Sequence, residues 1–158
     1  IEQRCRAIRR LVDTRSDVEI VYPGHPSPAV HDVVYRALGN VPRVHLLAPL
    51  GYRDFALAMS QSTLILSDSG GVQEEAPSLD VPVLILRDVT ERPEAVAAGC
   101  ALLVGCEEEA IVTTCQKLLD DAVLAEQMRR APNPFGDGNA AKRIADDVAN
   151  LVLAPTEG

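Results

Sequence analysis

Ser69-Gly70-Gly71 follows an apolar run, Ser62 to Leu66, and opens a helix-like one carrying Val72, Gln73, Glu74, Glu75 and Ala76. Small polar residues and paired glycines at a strand-to-helix turn suit an anion. Glycine lets the backbone approach a phosphate closely, and the N–H groups of a first helical turn are free to donate. Glu74 and Glu75 lie one turn further on. A phosphate alone would not want them, so the ligand they suit carries hydroxyls beside its phosphates, as a nucleoside diphosphate does. Glu75, four residues after Gly71, is placed to accept hydrogen bonds from two ribose hydroxyls. The plainer alternative is a capped turn, with Asp68 or Ser69 as N-cap, glycines for a tight bend and glutamates complementing the helix dipole.

A second charged segment, Arg87-Asp88-Val89-Thr90-Glu91-Arg92-Pro93-Glu94, follows another apolar run. Charge directly after a buried strand serves function more often than charge on a helix face. Arg92 could clamp a diphosphate with both arms of its guanidinium, or pair with Glu91 or Glu94 to fix the loop. Phe55 is one of two phenylalanines and serves either the core or a base. His25 sits in a Pro/Gly loop as a polar contact or an exposed side chain. Neither a Ser–His–Asp set, an HExxH, a GxxxxGK[ST] nor a GxGxxG is present, so NAD is disfavoured. His25, His31 and His45 lack metal-ligand spacing, and no metal site is expected. No catalytic set of acids and bases stands out; the residues look like half of an active site.

The elements that must hold these loops alternate along the chain. Helical spacing marks residues 1–15, a helix starting at Ser27-Pro28 and ending at Gly39, and residues 52–61. Apolar runs mark strands at Val18–Tyr22, Arg43–Leu47, Thr63–Leu66, Val81–Leu86 and Ala101–Val104. These runs do not alternate with polar residues, as expected of strands covered on both faces. The rhythm predicts an α/β fold, a Rossmann-like doubly wound parallel sheet with flanking helices. Helices are expected at Glu107–Asp120, Asp121–Arg130 and 139–153. Ligands of such sheets bind beyond the C-terminal strand ends. Four loops fall there: Pro23–Pro28, Ala48–Tyr52, Asp68–Gly71 and Asp88–Pro93.

The 158 residues fit one domain, and 47% hydrophobic content excludes a disordered chain. A net charge of −8 argues against a nucleic-acid surface, which needs a basic stripe. No apolar run is long enough to span a membrane, and no signal peptide is visible. Cys5, Cys100, Cys106 and Cys115 form no CxxC and read as reduced thiols of a cytoplasmic protein.

Three segments together resemble UDP-N-acetylglucosamine 2-epimerases. They are Ser67 to Leu79, Val81 to Leu84, and Arg87 to Val96. Tyr22 to Pro28 and Asn133 to Gly138 fit the same family, so the resemblance covers nearly all of the chain. It is closest to the C-terminal domain of the non-hydrolysing bacterial enzymes, one half of a GT-B two-domain architecture. The resemblance implies an isomerase that interconverts UDP-GlcNAc and UDP-ManNAc, eliminating UDP to give 2-acetamidoglucal and adding it back. It implies that Ser69, Gly70 and Gly71 meet the phosphates, Glu75 the ribose and Arg92 the diphosphate, with Phe55 and the backbone near Leu50 beside the uracil and His25 in the substrate site.

It implies no cofactor. The expected partners are UDP and a UDP-N-acetylhexosamine, an N-terminal domain carrying the acid/base carboxylates, and a second copy in a homodimer; neither nucleic acid nor membrane is expected. Residues 1–158 are expected to be the UDP-binding domain without its first strand, inactive alone and weakly stable or self-associating. The helix 139–153 is expected to pack toward the N-terminal domain. Pro26-Ser27-Pro28 departs from the family's usual Leu-Asn-Pro, and Asp80 stands where a glycine is usual. Two alternatives are a GT-B glycosyltransferase domain and a non-catalytic nucleotide-sugar module.

Overall fold

Val81 to Leu86 is buried at every residue. Such a run has no polar face to offer water, so its strand needs cover on both sides. The computed structural model describes residues 1–24 and 27–153, with the side chains of 152 and 153 excepted. The elements are α1 (Glu2–Thr14), β1 (Ile20–Pro23), α2 (Pro28–Leu38), β2 (Val44–Leu47), α3 (Tyr52–Ser60), β3 (Ile65–Ser67) and α4 (Gly70–Glu75). A 3-10 turn (Ala76–Leu79) leads to β4 (Val83–Ile85), α5 (Pro93–Ala98), β5 (Ala101–Leu103), α6 (Glu108–Asp120), α7 (Ala122–Arg129) and α8 (Ala140–Leu153). Every predicted helix and strand is present within a few residues; α5 is an addition.

All strand pairs are parallel. They form two sheets rather than one: β1-β2, and β3-β4-β5 with β4 central. Alternation along β4 builds two cores. Leu84 and Leu86 pack with α1, α6 and α7 through Ala7, Leu11, Ile111, Val112, Cys115, Leu118, Ala125 and Met128. Val83 and Ile85 point the other way, onto Ala76, Ala95, Cys100 and Ala101.

Helix α1 bridges the two sheets. Its Ala7 and Leu11 face β4, while Cys5 and Ile8 pack with Val34, Leu38 and the β1 and β2 residues Ile20, Tyr22, Val44 and Leu46. Arg43 ties its C-terminal end down, donating to the carbonyls of Val12, Arg15 and Val18. Val12 is in the last turn of α1, where helix carbonyls lack intrahelical partners, and Arg15 and Val18 follow in the segment leading to β1. Among the described residues β1 pairs only with β2 and β3 only with β4, so one edge of each is open.

The backbone gives the reason for two turn residues. Gly39 ends α2 in a right-handed conformation, φ −60°, not as a left-handed cap. A β-carbon there would lie 2.5 Å from the Tyr35 carbonyl oxygen, so close approach rather than φ selects the glycine. Asp80 is left-handed, φ 56°, and its N–H closes the 3-10 turn on Ala76 and Pro77. All four cysteines are free thiols, Cys5, Cys100 and Cys115 buried and Cys106 partly exposed.

Candidate functional site

Parallel pairing puts the C-terminal ends of β3 and β4 on one edge, so the loops after Ser67 and Ile85 are neighbours. Ser69 stands at the start of α4 with extended backbone, φ −81° and ψ 130°, and its side chain makes no capping hydrogen bond. Its N–H donates to Ser67 Oγ at 3.1 Å. Asp68 is drawn away to Arg4 at 2.6 Å. The capped-turn alternative therefore fails on both of its candidate caps.

The glycines are not there for the bend either. Neither Gly70 nor Gly71 has positive φ. A β-carbon on Gly70 would meet only Arg92 Nη2, at 3.9 Å, and one on Gly71 only Ser69 Oγ, at 3.8 Å. Packing would accept alanine at both, and a helical turn would prefer it by roughly 0.5–1 kcal/mol. What glycine uniquely leaves is a bare backbone facing outward, which is what a ligand's close approach requires.

Arg92 lies over this turn. Its Nε donates to Glu74 Oε1 and its Nη1 to the Glu91 carbonyl at 3.1 Å. The Glu74 hydrogen bond raises the guanidinium's pKa further above its ordinary value. The expected loop pairing of Arg92 with a Glu91 or Glu94 carboxylate is not what forms; Glu91 pairs with Arg87 at 3.8 Å. Glu75 is half-buried at the end of α4, and its carboxylate beside the Tyr52 hydroxyl lifts that hydroxyl above the usual phenol range. Leu50 and Phe55 are half-buried around the start of α3. Tyr52 lies between them in sequence and links their segment to Glu75. Phe55 follows Tyr52 by three residues and so shares its helix face.

The loop after β1 joins through Gly24, whose N–H donates to the Leu47 carbonyl at 2.9 Å. The expected contact at His25 lies outside the described residues. The four loops thus form a chain of neighbours: Gly24 to Leu47, Tyr52 to Glu75, and Glu74 to Arg92. Sequence reasoning missed Arg4, Tyr52, Gln73 and Thr90. Gln73 was open to discovery, standing one helical turn after Ser69; Arg4 was not, being 64 positions from Asp68.

No group of three or more His, Cys, Asp or Glu among the described residues could hold a metal, and no described helix is long and apolar enough to cross a membrane.

A family model described as UDP-N-acetylglucosamine 2-epimerase matches residues 1–149. The UDP-N-acetylglucosamine 2-epimerase of Escherichia coli K12 is 48% identical over 149 residues, 94% of this chain. That of Bacillus subtilis is 47% identical over 148 residues, again 94% of the chain. The chain spans only 40% and 39% of the length of these relatives. Among solved structures, S. aureus MnaA with UDP matches at a TM-score of 0.91 and 43% identity, over 99% of this chain and 43% of that one. The Neisseria meningitidis UDP-GlcNAc 2-epimerase bound to UDP-GlcNAc matches at 0.89 and 43%, over 94% and 40%.

Proposed function

Because the chain belongs to the UDP-N-acetylglucosamine 2-epimerase family, we propose that it is the UDP-holding domain of an enzyme interconverting UDP-GlcNAc and UDP-ManNAc. The observation that carries this reading is the Ser69-Gly70-Gly71 turn. It has no side-chain cap, its glycines are not needed for folding, and Arg92 lies beside it. In the proposed complex the turn and Arg92 hold the diphosphate, Glu75 accepts from the ribose hydroxyls, and Leu50 and Phe55 border the uracil.

The reaction breaks the C2–H bond and the C1–oxygen bond to UDP, leaving a C1–C2 double bond. UDP then returns to C1 while a proton is delivered to the opposite face of C2. The domain's task is to retain UDP and offset its charge while the sugar is detached. The groups that move protons belong, on this reading, to an N-terminal domain. Among the described residues the open edges of β1 and β3 suit this domain's own first strand, and one feature of the chain agrees with an N-terminal companion. Helix α8 carries an apolar stripe, Ile144, Val148 and Leu151, that is exposed throughout.

Calorimetric titration of the full-length protein with UDP, UDP-GlcNAc and NAD tests the binding claim, with Glu75→Ala and Arg92→Ala as controls. Tight UDP binding weakened by both substitutions is expected; NAD binding in place of UDP would refute it. Proton NMR in D2O tests the chemistry, since elimination exchanges the C2 hydrogen for deuterium. Glycosyl transfer without epimerisation would select a transferase instead.

A further inference from the structure

Gln73 is the buried polar side chain among the described residues, 1% exposed. A polar group so placed must be fully bonded, or it costs free energy to bury. Its Nε2 donates to the Ser69 carbonyl at 3.1 Å, and its Oε1 accepts from the Thr90 hydroxyl at 2.6 Å. Thr90 Oγ1 in turn accepts from the Arg92 N–H at 3.0 Å.

The direction of every bond follows from chemistry. A carbonyl can only accept, so the amide nitrogen must face Ser69. Arg92 N–H can only donate, so the threonine proton is left to point at Gln73. The result is an unbroken chain of three hydrogen bonds from the backbone of the turn to the backbone of Arg92. It joins the loops after β3 and β4 beneath the surface where Arg92 Nη2 approaches Gly70. Gln73 is buried and cannot itself meet a ligand in this arrangement.

We propose that Gln73 and Thr90 are positioning residues that set the Arg92 guanidinium against the Ser69-Gly70-Gly71 turn, and so govern the diphosphate part of nucleotide binding. This rests on the reading that turn and arginine hold a diphosphate. Ion pairing with Glu74 alone leaves a long, flexible side chain with many rotamers. Anchoring the arginine's backbone N–H fixes the point from which that side chain reaches, so the Glu74 pair can hold it over the turn.

The test compares UDP with uridine in the full-length protein, with UDP affinity from calorimetry and uridine affinity from competition against UDP. Thr90→Val keeps the shape and removes the hydroxyl. It is expected to weaken UDP roughly 5- to 30-fold while uridine changes less than about twofold. Thr90→Ser should restore UDP binding. In an Arg92→Ala background, Thr90→Val should add nothing, because the two substitutions remove one shared interaction. Equal loss of UDP and uridine would mean that Thr90 only supports the fold, and overturns the proposal. So would additive losses in the double variant, or unchanged UDP affinity in Thr90→Val when Arg92→Ala alone is weakened. Unchanged UDP affinity in Arg92→Ala would instead sink the reading of the site, and this inference with it.

Discussion

Arg4 Nη1 donates to Asp68 Oδ2 at 2.6 Å, joining the first helix to the turn after β3 across 64 positions of sequence. Its Nη2 donates to the Leu86 carbonyl at 2.6 Å and reaches Cys106 Sγ at 3.5 Å. One guanidinium thus gathers the loops after β3, β4 and β5. Its Nε is buried without a partner, so part of the gain is offset by desolvation.

Arg4→Met keeps an unbranched apolar stem and removes the gathering bonds. The full-length protein should lose about 1–2 kcal/mol of stability, because Asp68 is half-exposed and its share is screened. Urea unfolding measures it. A change near zero would mean that Arg4 is an ordinary surface ion pair.

Gly70→Ala should leave the melting temperature unchanged or slightly raised, since only Arg92 Nη2, 3.9 Å away, faces the new methyl. UDP binding should fall at least tenfold, because the methyl occupies the space a phosphate would use. Loss of stability with intact UDP affinity would return the glycine to a purely structural role.

Asp80 holds a left-handed turn, φ 56°. Asp80→Ala should cost about 1 kcal/mol, and Asp80→Gly should be neutral or mildly stabilising, as measured by chemical unfolding. Equal effects of the two would show that backbone strain at this turn has no weight.

Burial pushes the Cys115 thiol up to about 12, while Cys106 is partly exposed. At pH 8 a thiol reagent should label Cys106 well before Cys115 in the native protein. The sign for stability follows from the raised value. The neutral thiol's contribution is whole below the unfolded-state pKa, near 9, and is lost as pH rises from there toward 12. Cys115→Ala should flatten that alkaline decline; an unaltered decline would place its cause elsewhere.

Among the described residues β1 and β3 each leave one edge unpaired, with Val21 54% exposed, so residues 1–158 alone should associate. Sedimentation should find concentration-dependent oligomers. A monomer that unfolds cooperatively at high temperature would contradict this.

The apolar runs at Val81–Leu86 and Arg43–Leu47, and the helical spacing of residues 1–15, made the α/β order legible without coordinates. Local periodicity survives because each element answers to its own buried face. That Ser69-Gly70-Gly71, Glu75 and Arg92 fall near one another was legible for a different reason: loops after strands of a parallel fold share one edge.

Chain order and local chemistry therefore determined the elements, their parallel arrangement and the shared strand edge at which the loops of the proposed site meet. Tertiary structure alone decided who pairs with whom. It sent Arg92 to Glu74 rather than to the nearer Glu91 or Glu94 carboxylates, and Asp68 to Arg4. It buried Gln73 as a link and split the strands into two sheets bridged by α1. Hydrogen bonds and ion pairs act over a few ångströms of space, and separation along the chain carries no record of which loops the sheet will bring together.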